Sequence, residues 1–191
     1  MIIHFQNYIT LDTNQKKQIL DGRNSTRIRL NSISQEIISW EHHCKWMKTL
    51  ETRRDALYYM VYCDSVFVGN VSFTNLDFDS HTAEWGFDIG PSSMGYGCLI
   101  ETLAVEHSFR DMAMDKLFCR VLDNNKKTLR MHNEHFYFSL DSEYDGSVQT
   151  AEGVIPVWGM SLKREVFEKK YPPLLEFVRS AFHIKQVVWD D

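Results

Sequence analysis

Paired cysteines are missing from this chain. Cys44, Cys63, Cys98 and Cys119 are widely spaced and none belongs to a Cys-x-x-Cys pair. The spacing argues against both a disulfide framework and a zinc knuckle, and free thiols in a reducing compartment are expected. Long apolar runs are also lacking: stretches such as Ala56 to Tyr62 fall far short of the roughly 20 residues a membrane span needs. Met1-Ile2-Ile3-His4-Phe5 has neither a charged n-region nor an extended apolar h-region. A cytoplasmic protein without a membrane partner is therefore expected. Basic blocks are absent too. Lys and Arg total 21 against 26 Asp and Glu, for a net charge of −5, and no cationic stripe marks a nucleic-acid footprint. No repeat period or linker divides the 191 residues, which suit one domain with a substantial core.

Glycine is scarce as well, with nine residues, yet Gly86, Gly90, Gly95 and Gly97 crowd into twelve positions. Glycine gathers where backbone turns tightly or approaches a ligand. The flanking pattern predicts a strand over Ile2 to Ile9 and a helix capped by Asp12 and ended by Asp21-Gly22. A second helix is expected behind Ser34 as N-cap, with Ile37, Trp40, Cys44, Met47 and Leu50 on one face. Leu57 to Cys63 and Val66 to Leu76 read as a hairpin turning at Asp64-Ser65, and Ala83 to Ile89 as a third strand. A helix after Gly97, a strand over Lys116 to Leu122 and a helix over Asn124 to His135 follow. Strands are then expected around Phe136 to Leu140 and Val154 to Leu162. This order implies a mixed sheet with helices packed on it, an α/β or α+β arrangement. Pro172-Pro173 reads as a boundary before a short tail, in which Leu174, Leu175, Phe177, Val178 and Phe182 suggest an added helix.

The glycine cluster falls where a strand ends and a helix begins. Such a junction presents free N–H groups and the positive end of the helix dipole, which suits a phosphate; an ordinary glycine-rich connection is the alternative. Neither a Walker loop nor a dinucleotide fingerprint is present. Asn124-Asn125 opens the later helix; one Asn serves as N-cap, and the other is free to direct its amide into a cleft. Lys126, Lys127 and Arg130 offer positive charge from that helix edge or form a solvated face. His132 and His135 lack a third ligand, so no metal site is expected. A titrating His in a cleft suits general acid or base chemistry instead. Cys98, at a helix start, sits where thiolate is favoured. Glu84 is either an outward charge or a carboxylate set at the sheet.

With these residues in view, the chain resembles the GNAT superfamily of N-acetyltransferases. The family's acyl-CoA signature, Arg or Gln followed by x-x-Gly-x-Gly or Ala, aligns with Ser92-Ser93-Met94-Gly95-Tyr96-Gly97. A later motif, Asn-x-x-Ala with a Tyr beyond it and then Gly-Phe, aligns with Asn125-Lys126-Lys127-Thr128, His132 and Phe136-Tyr137. Within the superfamily the chain is most similar to the N-acetyltransferases of pseudaminic acid biosynthesis. That similarity rests on Gly22-Arg23-Asn24, Ile28-Arg29-Leu30, His43 with Trp46, Val68 to Asn75, Glu84-Trp85-Gly86-Phe87 and Val121 to Asn125.

The resemblance implies a mixed, mostly antiparallel sheet splayed between strands four and five and flanked by helices. It implies an acetyltransferase domain over residues 1–170; residues 171–191 have no counterpart in the family and are expected to form a helical extension packed on the domain or on a dimer partner. Acetyl-CoA is the implied cosubstrate, held by Phe87, Asp88, Ile89, Met94, Gly95, Tyr96, Gly97, Cys98, Asn125 and Lys127. A nucleotide-linked aminosugar is the implied acceptor, lined by Arg23, Leu30, His43 and Thr74, in a pathway that modifies flagellin or surface glycans. His132 stands where relatives carry a Tyr that protonates the departing thiolate. Arg120 replaces the Glu that serves some relatives as base, leaving that role to Glu84 or to a water chain ending at Glu84 or His43. Other amine acceptors, a protein N-terminus among them, and a non-catalytic acyl-CoA-binding module are the competing readings.

Overall fold

The computed structural model describes residues 1–90, 93, 95–150 and 153–190. Its strands are β1 (Ile2–Asn7), β2 (Ala56–Cys63), β3 (Val66–Asp77), β4 (Thr82–Ile89), β5 (Lys116–Leu122), β6 (Ser139–Leu140), β7 (Gly146–Thr150), β8 (Gly153–Lys163) and β9 (Gln186–Trp189). Its α-helices are α1 (Thr13–Asn24), α2 (Thr26–Arg29), α3 (Trp40–Thr49), α4 (Gly97–Arg110), α5 (Lys126–Phe136) and α6 (Arg164–Ala181). The strands form one sheet in the order β6-β8-β5-β4-β3-β2-β1-β9, with β7 also on β8. Pairing is antiparallel except at β4–β5 and β1–β9.

The sheet divides two apolar layers. One holds α4, α6 and inward residues such as Phe5, Val71, Phe73 and Trp85; the other sets α1 and α3 against Tyr8, Met60 and Tyr58. Asp12 caps α1 in a reciprocal capping box with Gln15, satisfying two N–H groups that the first turn leaves without partners. The β2–β3 turn is made by Asp64 and Ser65, both at positive φ (45° and 69°), the twist that suits a two-residue hairpin.

Three expectations are corrected. The helix expected behind Ser34 starts at Trp40, with Ser39 as its N-cap. The carbonyls of Ser34, Gln35 and Ile38 instead accept from Arg23, Arg29 and Asn24, and Ile37 is 73% exposed. The strand expected from Phe136 shrinks to Ser139–Leu140, because α5 runs through Phe136 and ends on Tyr137 in the left-handed region (φ 62°). Glycine usually supplies that conformation. Pro172 and Pro173 lie inside α6 rather than at a boundary. Both are exposed, as are Glu168 and Lys169 four residues earlier, so water can satisfy the carbonyls that the prolines leave unpaired. Beyond residue 170, Tyr171, Leu175 and Val178 are buried in the main core, and β9 pairs with β1.

Candidate active site

The site lies where the sheet opens. Thr82, Ala83 and Glu84 pair with Lys116, Leu117 and Phe118, and among the described residues the β4–β5 ladder goes no further. Trp85–Ile89 and Cys119–Leu122 then form the walls of a wedge. Gly90 N–H donates to the Val68 carbonyl at 3.0 Å. Counting back along this antiparallel ladder, Asp88 bonds toward β3, while the N–H groups of Phe87 and Ile89 face the wedge.

Beyond β4 the chain folds back into α4. Ser93 N–H reaches the Gly90 carbonyl and Tyr96 N–H the Ser93 carbonyl, both at 3.0 Å. Tyr96 is the N-cap of α4 and supplies no side-chain acceptor, so the first N–H groups of the helix keep their donor capacity. A Cβ on Gly95 would meet no atom within 4 Å, and one on Gly97 would only touch Phe87 and Ile89 at 3.8 and 3.9 Å. The protein's own packing thus does not demand glycine at Gly95, and the backbone there is open to close approach. Pro91, Ser92 and Met94 lie outside the described residues. Cys98 is half-buried, and burial pushes its thiol up, so the thiolate expected at a helix start is not favoured.

His132 projects from α5 into the inner side of the wedge, where its ring meets Trp85, Phe87 and Phe138 at centroid distances of 5.5, 6.4 and 5.5 Å. Its Nδ1 lies 2.6 Å from Glu101 Oε1. Both side chains are buried, and the second Glu101 oxygen, Oε2, has no hydrogen-bond partner. Burial pushes the Glu101 carboxyl up, and the imidazole beside it pulls it partly back. Glu101 is barely legible in the sequence: its one signal is a lone acid inside the run Leu99-Ile100-Glu101-Thr102-Leu103. Asn125 caps α5, its Oδ1 accepting from Thr128 N–H; Lys126 pairs with Asp123, and Lys127 is exposed.

The other face of β4 carries Glu84 and Asp88. A bulge between Thr74 and Asp77 places Asn75 at φ 48°, and Asn75 Nδ2 donates to Glu84 Oε2 at 2.7 Å. Arg120 grips the same carboxylate twice, at 2.7 and 3.0 Å. Both Glu84 oxygens are thereby held, and the geometry gives the residue a bracing role across the mouth of the splay. Thr74 stands opposite Glu84 in the β3–β4 register. Asp88 turns its carboxylate away from Phe87 and Ile89, toward Asn70. Asn70 Nδ2 donates to both of its oxygens at 3.0 and 3.2 Å, and Tyr8 Oη donates to Asn70 Oδ1 at 2.9 Å.

Three arginines from α1 and α2 complete this face. Arg27 donates to the Ile89 carbonyl, Arg23 to Ser34 and Arg29 to Gln35. Arg23 Nη1 and Arg29 Nε are buried without a hydrogen-bond partner. Burial lowers the Arg23 pKa, while Asp88 pulls it upward. Leu30 follows α2 and is exposed. No hydrogen bond joins His43 to this group among the described residues: it is buried between Trp40 and Trp46 on α3, its Nε2 lacks a hydrogen-bond partner, and burial pushes its pKa down. Arg27, Arg29, Asn70 and Tyr8 were not singled out from sequence as site residues.

Residues 23–134 match the family model described as an acetyltransferase (GNAT) domain. The chain belongs to the GNAT acetyltransferase family. Among curated GNAT proteins it is similar to acetyltransferase PseH of Campylobacter jejuni (strain 81-176), at 22% identity over 144 residues, covering 75% of this chain and 90% of the relative. The crystal structure of Campylobacter jejuni N-acetyltransferase PseH in complex with acetyl coenzyme A superposes with a TM-score of 0.65 at 18% identity, covering 85% and 99% of the two chains. Spermidine N-acetyltransferase from Vibrio cholerae, in complex with CoA and spermine, gives 0.74 at 16% identity, covering 88% and 97%. At these identities the structural likeness speaks to the fold, a large mixed sheet flanked by helices.

Proposed function

We propose that this enzyme transfers an acetyl group directly from acetyl-CoA to the 4-amino group of a UDP-linked 4-amino-4,6-dideoxy-N-acetyl sugar. The observation that carries the choice of acceptor is the cluster of Arg23, Arg27 and Arg29, with buried nitrogens lacking partners at Arg23 and Arg29. An unsatisfied buried guanidinium nitrogen is costly, and a diphosphate is the acceptor group that arginine forks match best. A polyamine would meet the same charge as repulsion. The resemblance of the sequence to the N-acetyltransferases of pseudaminic acid biosynthesis supports the sugar reading.

Acetyl-CoA supplies an activated thioester. The free N–H groups at the start of α4, with Gly95 and Gly97 leaving the backbone open, receive its pyrophosphate. Asn125 Nδ2 and Lys127 flank the same path from α5. The wedge-facing N–H groups of Phe87 and Ile89 hold the pantetheine arm and steady the oxyanion as the amine adds. His132, oriented by Glu101, protonates the departing thiolate. No covalent enzyme intermediate is needed, because the wedge brings both substrates together.

Purified protein incubated with acetyl-CoA and, separately, the UDP-linked aminosugar, spermidine and a peptide with a free N-terminus tests the reading by thiol release. Release with the sugar nucleotide is the expected result. Release only with spermidine or the peptide would overturn it.

A further inference from the structure

Direct transfer requires something to take a proton from the acceptor ammonium, and Glu84 is committed to Arg120 and Asn75. We propose that Asp88 is the proton acceptor for the incoming amine, with Asn70 and Tyr8 as the residues that position it. The proposal rests on the acetyl-transfer reading of the wedge.

Its geometric basis is the pleat of β4. Successive side chains point to opposite faces, so Asp88 projects to the α1–α2 face from between the two residues whose N–H groups line the wedge. His132 lies on the other face, against Trp85 and Phe87. An amine arriving past the arginines meets Asp88 first, while the sulfur leaves on the His132 side. Deprotonation of the incoming ammonium and protonation of the departing thiolate are thus assigned to opposite sides of one strand.

The groups facing Asp88 come from each element packed on it: Asn70 of β3, Tyr8 from the turn after β1, Arg23 of α1 and Arg27 of α2. Tyr8 donates to Asn70 Oδ1 and so fixes which end of the amide faces Asp88. Burial pushes Asp88 up to about 6, against the pull of the Asn70 hydrogen bond and then of Arg27 and Arg23. At neutral pH it is therefore an ionised carboxylate that takes up a proton more readily than an ordinary Asp.

In the balanced step, the ammonium gives one proton to an Asp88 oxygen, and the freed lone pair forms the C–N bond at the thioester carbonyl. Collapse of the oxyanion breaks the C–S bond, and the electron pair leaves with sulfur. His132 gives its proton to that sulfur and recovers one from the nitrogen as the amide forms. Asp88 then releases its proton to water.

The test compares wild type with Asp88→Asn, using acetyl-CoA and the amine that the wild type acetylates. Asp88→Asn is expected to lower kcat/KM about 100-fold at pH 7.5 and to remove the acidic limb of the pH profile near 6. The defect should shrink at high pH, where the amine loses its proton unaided, a rescue that a purely structural role would not give. Acetyl-CoA affinity, read by calorimetry, should be unchanged and reports that the variant is folded. Asn70→Ala keeps the carboxylate but removes a hydrogen bond favouring its charged form, so the limb should move to higher pH. Asp88→Asn within threefold of wild type with its acidic limb intact, or an unmoved limb in Asn70→Ala, would overturn the proposal. Absence of wild-type turnover with every amine would instead overturn the acetyl-transfer reading beneath it.

Discussion

Asp88 is held where its charged form is disfavoured, and this has a consequence for stability that runs opposite to its proposed use. A carboxyl raised to about 6 in the folded state binds protons more tightly than in the unfolded chain. Its contribution favours folding below about pH 4 and is lost as the pH rises through about 6. Asp88→Asn should therefore be more stable than wild type at pH 8, by roughly 1 kcal/mol after solvent screening, and show no gain at pH 4; calorimetry at the two values reads this as a higher melting temperature at pH 8 only. Glu101 invites a different measurement. Glu101→Gln keeps the shape but removes the charge beside His132, and should lower kcat about tenfold or more while leaving the KM for acetyl-CoA unchanged. Combined with His132→Phe, it should cost little further, since the two act as a unit. His132 was legible in the sequence through its place in a motif. Glu101 was not, because its partner lies 31 residues away and nothing local announces the pairing. The same holds for Glu84 and Arg120, 36 residues apart.

Elements were legible where local chemistry and tertiary packing agreed. The Asp64-Ser65 hairpin, the strand Lys116–Leu122 and the Asp12 cap stand as the pattern predicts. Where side chains from a neighbouring element decided the matter, the pattern misled. The segment before α3 carries a helical stripe, but arginines and an asparagine from α1 and α2 take its carbonyls. The strand β7, Gly-Ser-Val-Gln-Thr, is too polar to stand out and exists by pairing with β8. The short run of β9 gains its place from β1 and from Trp189, stacked between Phe5 and His107 at 3.6 and 3.8 Å. Close approach of β3 to β4 sets a further condition. A Cβ on Gly69 would fall 2.2 Å from the Asp88 carbonyl oxygen, a backbone atom that cannot swing aside. Gly69→Ala should destabilise the fold by roughly 2 kcal/mol or more, read as a lower urea midpoint, and should depress activity by displacing the strand that carries Phe87, Asp88 and Ile89.

Taken whole, the molecule joins a net charge of −5 to a local concentration of arginine at one mouth of its splayed sheet. The glycine crowding visible in the sequence lies at the start of α4, the side where the proposed reading puts acetyl-CoA. The proposed acceptor side is only half legible: Arg23 stands out through the family resemblance, whereas Arg27 and Arg29 read as scattered charges until α2 sets them beside it near the end of β4. Among the described residues no helix is long and apolar enough to cross a membrane. Binding that depends on few, partly buried cations should weaken only moderately with salt, since buried pairs are screened less than surface ones. The account stands on those arginines selecting an anionic acceptor, and the direct measurement is kcat/KM for three amines at one ionic strength: the UDP-linked aminosugar, the same aminosugar without its nucleotide diphosphate, and spermidine. The prediction is a value for the UDP-linked sugar at least about 100-fold above the other two, a margin near 2.7 kcal/mol that diphosphate–arginine contacts can supply. Equal values with and without the diphosphate, or a preference for spermidine, would contradict it.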